Sequence, residues 1–251
     1  MSAFPAFANE TQPLFCFIRS LCNNKKAIIR VPVYLDKITL TFIYRTVYNG
    51  SMIKTDVKQK ILEVGLNLFS EKGYEGVSVS DLTEASGITK PTLYYYFGSK
   101  EGVYEAISQI NYNRLNTAVL ASSAYSPNPK SYYDDIFAAL KNLTAAYFSF
   151  VKENEPFYRM ALANLFMPRS SAVWGIVAKC HKEQYEIINK MFSEMASVHK
   201  NLKDKNRILT WSFVGLINAY VGLYFNDVPD VRLNEQNIKD LVRQFMHGIY
   251  S

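Results

Sequence analysis

The tightest constraint on the fold lies between Ser78 and Phe97, where two short helical patterns meet at a single glycine, Gly87. Ser78-Val-Ser-Asp81 has the form of a helix cap with an acid three positions on, so a helix is predicted to run to about Ser86, burying Val79, Leu82 and Ala85. Gly87 breaks it and Ile88 supplies an apolar plug. Thr89 can cap a further short helix reading Lys90-Pro-Thr-Leu-Tyr-Tyr-Tyr-Phe97, whose Pro91 is harmless in a first turn where amide donors are unpaired anyway. Gly98 ends that helix, and Ser99 caps the next, which begins Lys100-Glu101. Upstream, Val57, Ile61, Val64 and Leu68 recur at helical spacing, Leu62, Leu66 and Phe69 widen the stripe, and Gly73 supplies the stop.

Two short helices around a tight turn leave the second free to enter a major groove of DNA while the first crosses the backbone and braces it. Leu82, Ile88 and Leu93 are expected to hold the pair together, leaving Lys90, Pro91, Thr92, Tyr94 and Tyr95 facing outward. The chemistry suits a reader: lysine donates to guanine or phosphate, threonine meets a base or its methyl, and a tyrosine hydroxyl donates to phosphate. Lys100, in the first turn of the fourth helix, would add its ammonium to unpaired amides as a phosphate clamp. Ser78, Ser80 and Thr89, at the helix entrances, complete the expected DNA-facing set. The blander alternatives are that the three tyrosines 94–96 pack on neighbouring helices, as Tyr96 is expected to do, and that Lys100 is a solvated cap.

These residues carry a family resemblance. Residues 54–106 resemble the DNA-binding domain of TetR/AcrR transcriptional regulators, through Ile61-Leu-Glu-Val-Gly-Leu-Asn-Leu-Phe-Ser-Glu-Lys-Gly-Tyr74, Val79-Ser-Asp-Leu82, Ala85-Ser-Gly-Ile-Thr-Lys-Pro-Thr-Leu-Tyr-Tyr-Tyr-Phe97 and Ser99-Lys-Glu101. The resemblance implies base reading at Lys90, Pro91, Thr92 and Tyr94 and phosphate contact at Tyr95 and Lys100. Thr83 and Ser86 depart from the small apolar residues usual in the scaffold helix, and Gly102 lowers helix propensity in the first turn of the fourth. The resemblance further implies a homodimer on an inverted-repeat operator, repression, and release by a small-molecule effector. One reading helix spans only a few base pairs, which itself calls for two copies.

Beyond residue 98, helical periodicity predicts helices near 99–121, 131–153, 155–166, 170–199, 204–226 and 234–249, punctuated by Pro127, Pro129, Pro156, Pro168 and Pro229. The expected fold class is all-α: a three-helix helix-turn-helix domain over 52–106, then a larger helical ligand-binding and dimerisation domain over 107–251. Phe148, Phe157, Tyr158, Phe166, Trp174 and Tyr185 are the candidate lining of an effector pocket, against the alternative of ordinary core. The last two helices resemble the pair forming the family's four-helix dimer interface, with Trp211, Leu216, Tyr220, Leu241 and Phe245 as candidates and Ile249 closing the stripe.

Residues 1–51 differ from the rest, with three prolines and a β-prone run at 38–44. Met52 directly precedes the first strong helical pattern, so 1–51 are expected to be a mis-assigned start or a disordered arm, with a basic DNA-contacting arm as the alternative. Net charge is +6, yet residues 52–106 hold six basic against eight acidic side chains, so bulk charge does not locate a DNA site. No apolar run is expected to reach the roughly 20 uncharged residues of a membrane span, and the N-terminus lacks the order of a signal peptide, which points to the cytoplasm and to no membrane partner. Cys16, Cys22 and Cys180 lack metal-ligand spacing, and Cys180, His181 and Glu183 stand at helix positions that point apart. No metal or cofactor is expected. No nucleophile–base pair, phosphate loop or carboxylate pair has a recognisable spacing, so an enzyme is not expected; a helical adaptor that has lost DNA binding is the competing class.

Overall fold

A computed structural model of the chain describes residues 56–128 and 130–248, and all that follows lies within the unit Lys58–Ser251. The expectations for residues 1–51 and for Ile249 fall outside the described residues.

The described residues are helical, with no strand among them. Helix α1 ends at residue 72, where Gly73, at φ 68°, donates its amide to the Phe69 carbonyl. Then follow α2 (Val79–Ser86), α3 (Lys90–Phe97), α4 (Lys100–Ser122), α5 (Tyr132–Glu153), α6 (Glu155–Asn164), α7 (Trp174–Val198), α8 (Asn206–Phe225) and α9 (Glu235–His247). A single 3-10 turn, Lys200–Leu202, joins α7 to α8. The helix order is the one that periodicity predicts, with ends trimmed by a few residues.

The long α4 ties the molecule together, packing on α3 at its start and on α5 and α7 further along, while α7 packs on α8 and α5 on α9. Near its start, Tyr104 is fully buried with its ring edge-on to Phe69 at 5.0 Å and to Tyr74 at 5.1 Å, an aromatic knot that fastens α1 to α4. At its far end the loop into α5 is pinned by a buried cluster. The Tyr125 hydroxyl donates to Asp135 Oδ2 at 2.9 Å, His199 Nε2 lies 3.2 Å from Asp135 Oδ1, and the Asn128 amide donates to Asp135 Oδ2 at 3.0 Å. Burial pushes the Asp135 carboxyl pKa up, but these hydrogen bonds and the nearby imidazole prevail and hold it below the usual range.

Two sequence expectations change here. Ala85 is exposed, and α2 buries Leu82, Thr83 and Ser86 instead. The reason is periodic: residues 79, 82–83 and 86 share one face of a 3.6-residue helix, and position 85 does not. Second, residues 208–225 form an 18-residue run with no charged side chain, and α8 is long and apolar enough to cross a membrane by length and composition, with a mean hydropathy of 1.5. It instead buries Phe213, Val214, Ile217 and Val221 among the other helices.

Candidate nucleic-acid interface and body cavity

The reading unit is fixed by side chains that satisfy the free amides of helix starts. Ser78 Oγ accepts from the Asp81 amide at 3.1 Å, and Asp81 Oδ2 accepts from the Ser78 amide at 2.7 Å and from the Ser78 hydroxyl at 2.6 Å. Those bonds to the ionised form hold the Asp81 pKa below its ordinary value. Gly87 then turns the chain at φ 64°, ψ 37°, a left-handed conformation that a side chain disfavours, with its amide on the Glu84 carbonyl and that of Ile88 on Thr83. Thr89 caps α3, its Oγ1 lying 2.9 Å from Thr92 Oγ1 and 3.4 Å from the Thr92 amide.

Leu93 and Leu82 are fully buried and Ile88 is half-buried, which clamps α3 by one side. Lys90 and Pro91 are exposed, as are Tyr94 at 48% and Tyr95 at 71%; Thr92 and Tyr96 are half-buried. Two large aromatic side chains therefore stand in solvent beside a lysine on one face of an eight-residue helix. Ser78 and Thr89 are exposed, and Ser80 is half-buried.

Lys100 departs from the expected outward clamp. Its Nζ donates to the carbonyls of Tyr74 at 3.0 Å and Val77 at 2.9 Å and lies 4.0 Å from the centre of the Tyr74 ring. The ammonium thus braces the α1–α2 turn against α4. Next to it, the Tyr74 hydroxyl donates to Glu101 Oε1 at 2.6 Å, and that bond above all lowers the Glu101 pKa to about 2. Gly102, read from sequence as a weak helix residue, is required by space: a Cβ there would lie 1.9 Å from the Phe97 carbonyl oxygen.

In the body, Phe148, Phe157 and Tyr158 are buried and Tyr185 is half-buried, but the other two pocket candidates are not interior. Phe166 is 89% exposed and Trp174 38% exposed, because α6 ends at Asn164 and α7 starts only at Trp174, leaving both on the connecting segment or its edge. Tyr158 and Tyr185 do line a cavity of about 10 Å³, room for about one water, together with Tyr112, His181, Gln184 and Asn218. The Tyr158 hydroxyl donates to Asn218 Oδ1 at 2.7 Å, and the Tyr112 hydroxyl lies 2.8 Å from His181 Nε2. Burial lowers the His181 pKa and raises those of Tyr112, Tyr158 and Tyr185. The fully buried Tyr147 has a hydroxyl with no hydrogen-bond partner, and burial pushes its pKa up. Sequence reasoning missed Tyr112, His181 and Asn218, whose convergence arises only from packing. Burial pushes the Cys180 thiol up to about 11, so it is a poor nucleophile.

Among the dimer candidates, Trp211 is 50% exposed, and Leu216 and Tyr220 are half-buried. Leu241 is only 6% exposed within its own chain, so a partner has almost nothing left to cover; the amphipathic α9 spends its apolar stripe on α5. Phe245 is half-buried, edge-on to Phe213 at 4.8 Å. The open apolar face of α8 is instead Ile208, Trp211 and Leu223, with Gly215, Ala219 and Gly222 between, and a Cβ added at either glycine would meet nothing within 4 Å.

Among the described residues the fold and the exposed helix define the class: an all-helical arrangement that carries a helix-turn-helix at α2–α3. Residues 61–107 match the model of bacterial regulatory proteins of the tetR family, the stretch that holds most of the motifs singled out in the sequence. A 64-residue stretch, 26% of this chain, is 38% identical to the biofilm operon icaADBC HTH-type negative transcriptional regulator IcaR of Staphylococcus aureus (strain Newman). That stretch spans about a third of the relative's length, 34%. Among solved structures, the transcriptional regulator FadR from Bacillus subtilis in complex with stearoyl-CoA is similar at TM-score 0.61 and 15% identity, over 76% of this chain and 98% of that one. AibR in complex with isovaleryl coenzyme A and operator DNA is similar at TM-score 0.55 and 20% identity, over 73% and 94%. At such identities these likenesses establish the fold.

Proposed function

We propose that this chain is a ligand-responsive transcriptional repressor that binds an inverted-repeat operator as a homodimer and releases it when a small molecule occupies the body. The observation that carries the reading is the outer face of α3, where Lys90, Pro91, Tyr94 and Tyr95 are exposed while Leu93 locks the helix from behind. Residues 52–106 are the reader, 107–251 bind effector and partner, and 1–51 are an extension. Lys100 serves DNA binding by positioning the turn ahead of α2, whose cap Ser78 and first-turn Ser80 approach phosphate.

Dimerisation runs through the open face of α8. Its glycines let two helices approach closely, and Ile208, Trp211 and Leu223 supply apolar area that one chain leaves in water. The effector enters the tyrosine-rich cavity. An apolar molecule bearing a hydrogen-bonding group, such as an acyl thioester of the kind named with the fold neighbours, suits a lining that sets Leu115, Leu162 and Leu165 beside the polar ends of Tyr158, Gln184 and Asn218. A cavity sized for one water admits it only if helices part, which is the differential affinity that linkage requires. Coupling of about 1–3 kcal/mol is the usual range.

Selection from random DNA with the full chain, at two salt concentrations, tests the reading. A short palindrome should be enriched at both, because non-specific phosphate binding fades with salt. If no sequence is enriched, the helical adaptor takes its place.

A further inference from the structure

A second, larger hollow lies away from the tyrosine cavity. An open cleft of about 240 Å³ separates the end of α1 and its following turn from the end of α6 and the segment after it. Its floor includes Tyr104 and Met160, both almost wholly buried, and Phe166 lines it while leaving 89% of itself in water. Burial of such a side chain is favourable, so a bare phenylalanine beside an apolar floor is an unused half of a binding site. The volume falls short of the roughly 300–1,000 Å³ of sites for drug-sized molecules and suits a single ring.

The polar groups at the cleft favour an anion. Lys72 is its one cationic lining residue. The one anionic residue, Glu75, already accepts from the Ser171 hydroxyl at 3.1 Å. Asn164, only 6% exposed, accepts from the Tyr104 hydroxyl through Oδ1, while its Nδ2 faces the Tyr112 hydroxyl without a hydrogen bond of good geometry. That hydroxyl is engaged with His181 Nε2 at 2.8 Å. A buried donor without a well-placed acceptor is costly, and a carboxylate oxygen brought into the cleft gives it one.

We propose that this cleft is a binding site for a small aromatic carboxylate, its ring between Phe166 and the Tyr104–Met160 floor and its carboxylate toward Lys72 and Asn164. The site is distinct from the effector cavity and does not depend on the DNA-binding reading. Its occupant touches both α1 and α6 and so cross-links the reading unit to the body.

Phenylacetate titrated into the full chain, followed by saturation-transfer NMR and calorimetry, tests it, with phenylacetamide as the uncharged control. Saturable phenylacetate binding is expected. Lys72→Gln should weaken phenylacetate by about 3-fold, the scale of an exposed ion pair, and leave phenylacetamide unchanged. Ala163→Phe, at an exposed lining residue, should fill the cleft and abolish binding of both, with helical content intact by circular dichroism. If that variant fails to fold, Phe166→Ala serves, since a side chain so exposed carries little of the fold, and it should weaken binding. Absence of saturable binding, phenylacetamide binding as tightly as phenylacetate, or binding undiminished by the cleft variants would overturn the proposal. Binding undiminished in this way would place the ligand elsewhere.

Discussion

The reading unit and the body are held together by different means. In the reading unit, short helices are fixed by caps, a left-handed glycine and a lysine spent on two carbonyls; Lys90, Tyr94 and Tyr95 face water, and the Ser86 hydroxyl is buried without a partner. In the body, long helices are fixed by aromatic packing that leaves hydroxyls and amides inside, some without partners. A unit held by its own backbone bonds can present a rigid face to DNA. A core holding unpaired polar groups has something for a ligand to satisfy.

That contrast can be broken at several points. Leu82→Ala removes the buried anchor between α2 and α3 and should cost about 2–5 kcal/mol in urea unfolding, together with loss of DNA binding. A near-neutral result would mean that the caps alone hold the unit. Gly102→Ala places a methyl group against the Phe97 carbonyl and should cost about 1–3 kcal/mol, although alanine is the better helix former. A gain in melting temperature there would contradict the geometry. In the body, Tyr147→Phe deletes a hydroxyl without a partner and should stabilise by up to about 1 kcal/mol, whereas a comparable loss would mean that the hydroxyl is bonded.

The smallest effect concerns pH. Glu101 has its folded-state pKa depressed to about 2 from an ordinary 4.5, so its contribution to stability is present above about pH 4.5 and is lost as pH falls toward 2. The melting-temperature difference between the wild type and Glu101→Gln should therefore be constant near neutrality and shrink between those values. A difference unchanged down to pH 2 would remove the Tyr74–Glu101 bond from the account.

Legibility in the sequence follows the same divide. The caps at Ser78, Thr89 and Ser99 and the turn at Gly87 were readable because each acts within three or four residues of itself. Lys100 was misread because its partners, Tyr74 and Val77, lie 26 and 23 positions away, and no local pattern says that an ammonium will turn back to them. In the body the helices were legible from periodicity but not the faces they bury. Tyr112 meets His181 across 69 positions and Tyr158 meets Asn218 across 60, so the cavity is a product of packing. Phe166 is more exposed and Leu241 more buried than their expected roles imply, for the same reason: hydrophobic character gives a preference for burial, and only the neighbouring helices decide where it is met.

The central claim is that the exposed face of α3 reads bases, and the most direct test compares Tyr94→Ala and Lys90→Ala with the wild type on the selected palindrome and on scrambled DNA of the same length. Affinity for the palindrome should fall by about 1–3 kcal/mol for a base-reading side chain, with little change on scrambled DNA and an unaltered melting curve. Equal losses on both DNAs would reduce the face to a phosphate contact. No loss on either, in correctly folded protein, would contradict the account outright.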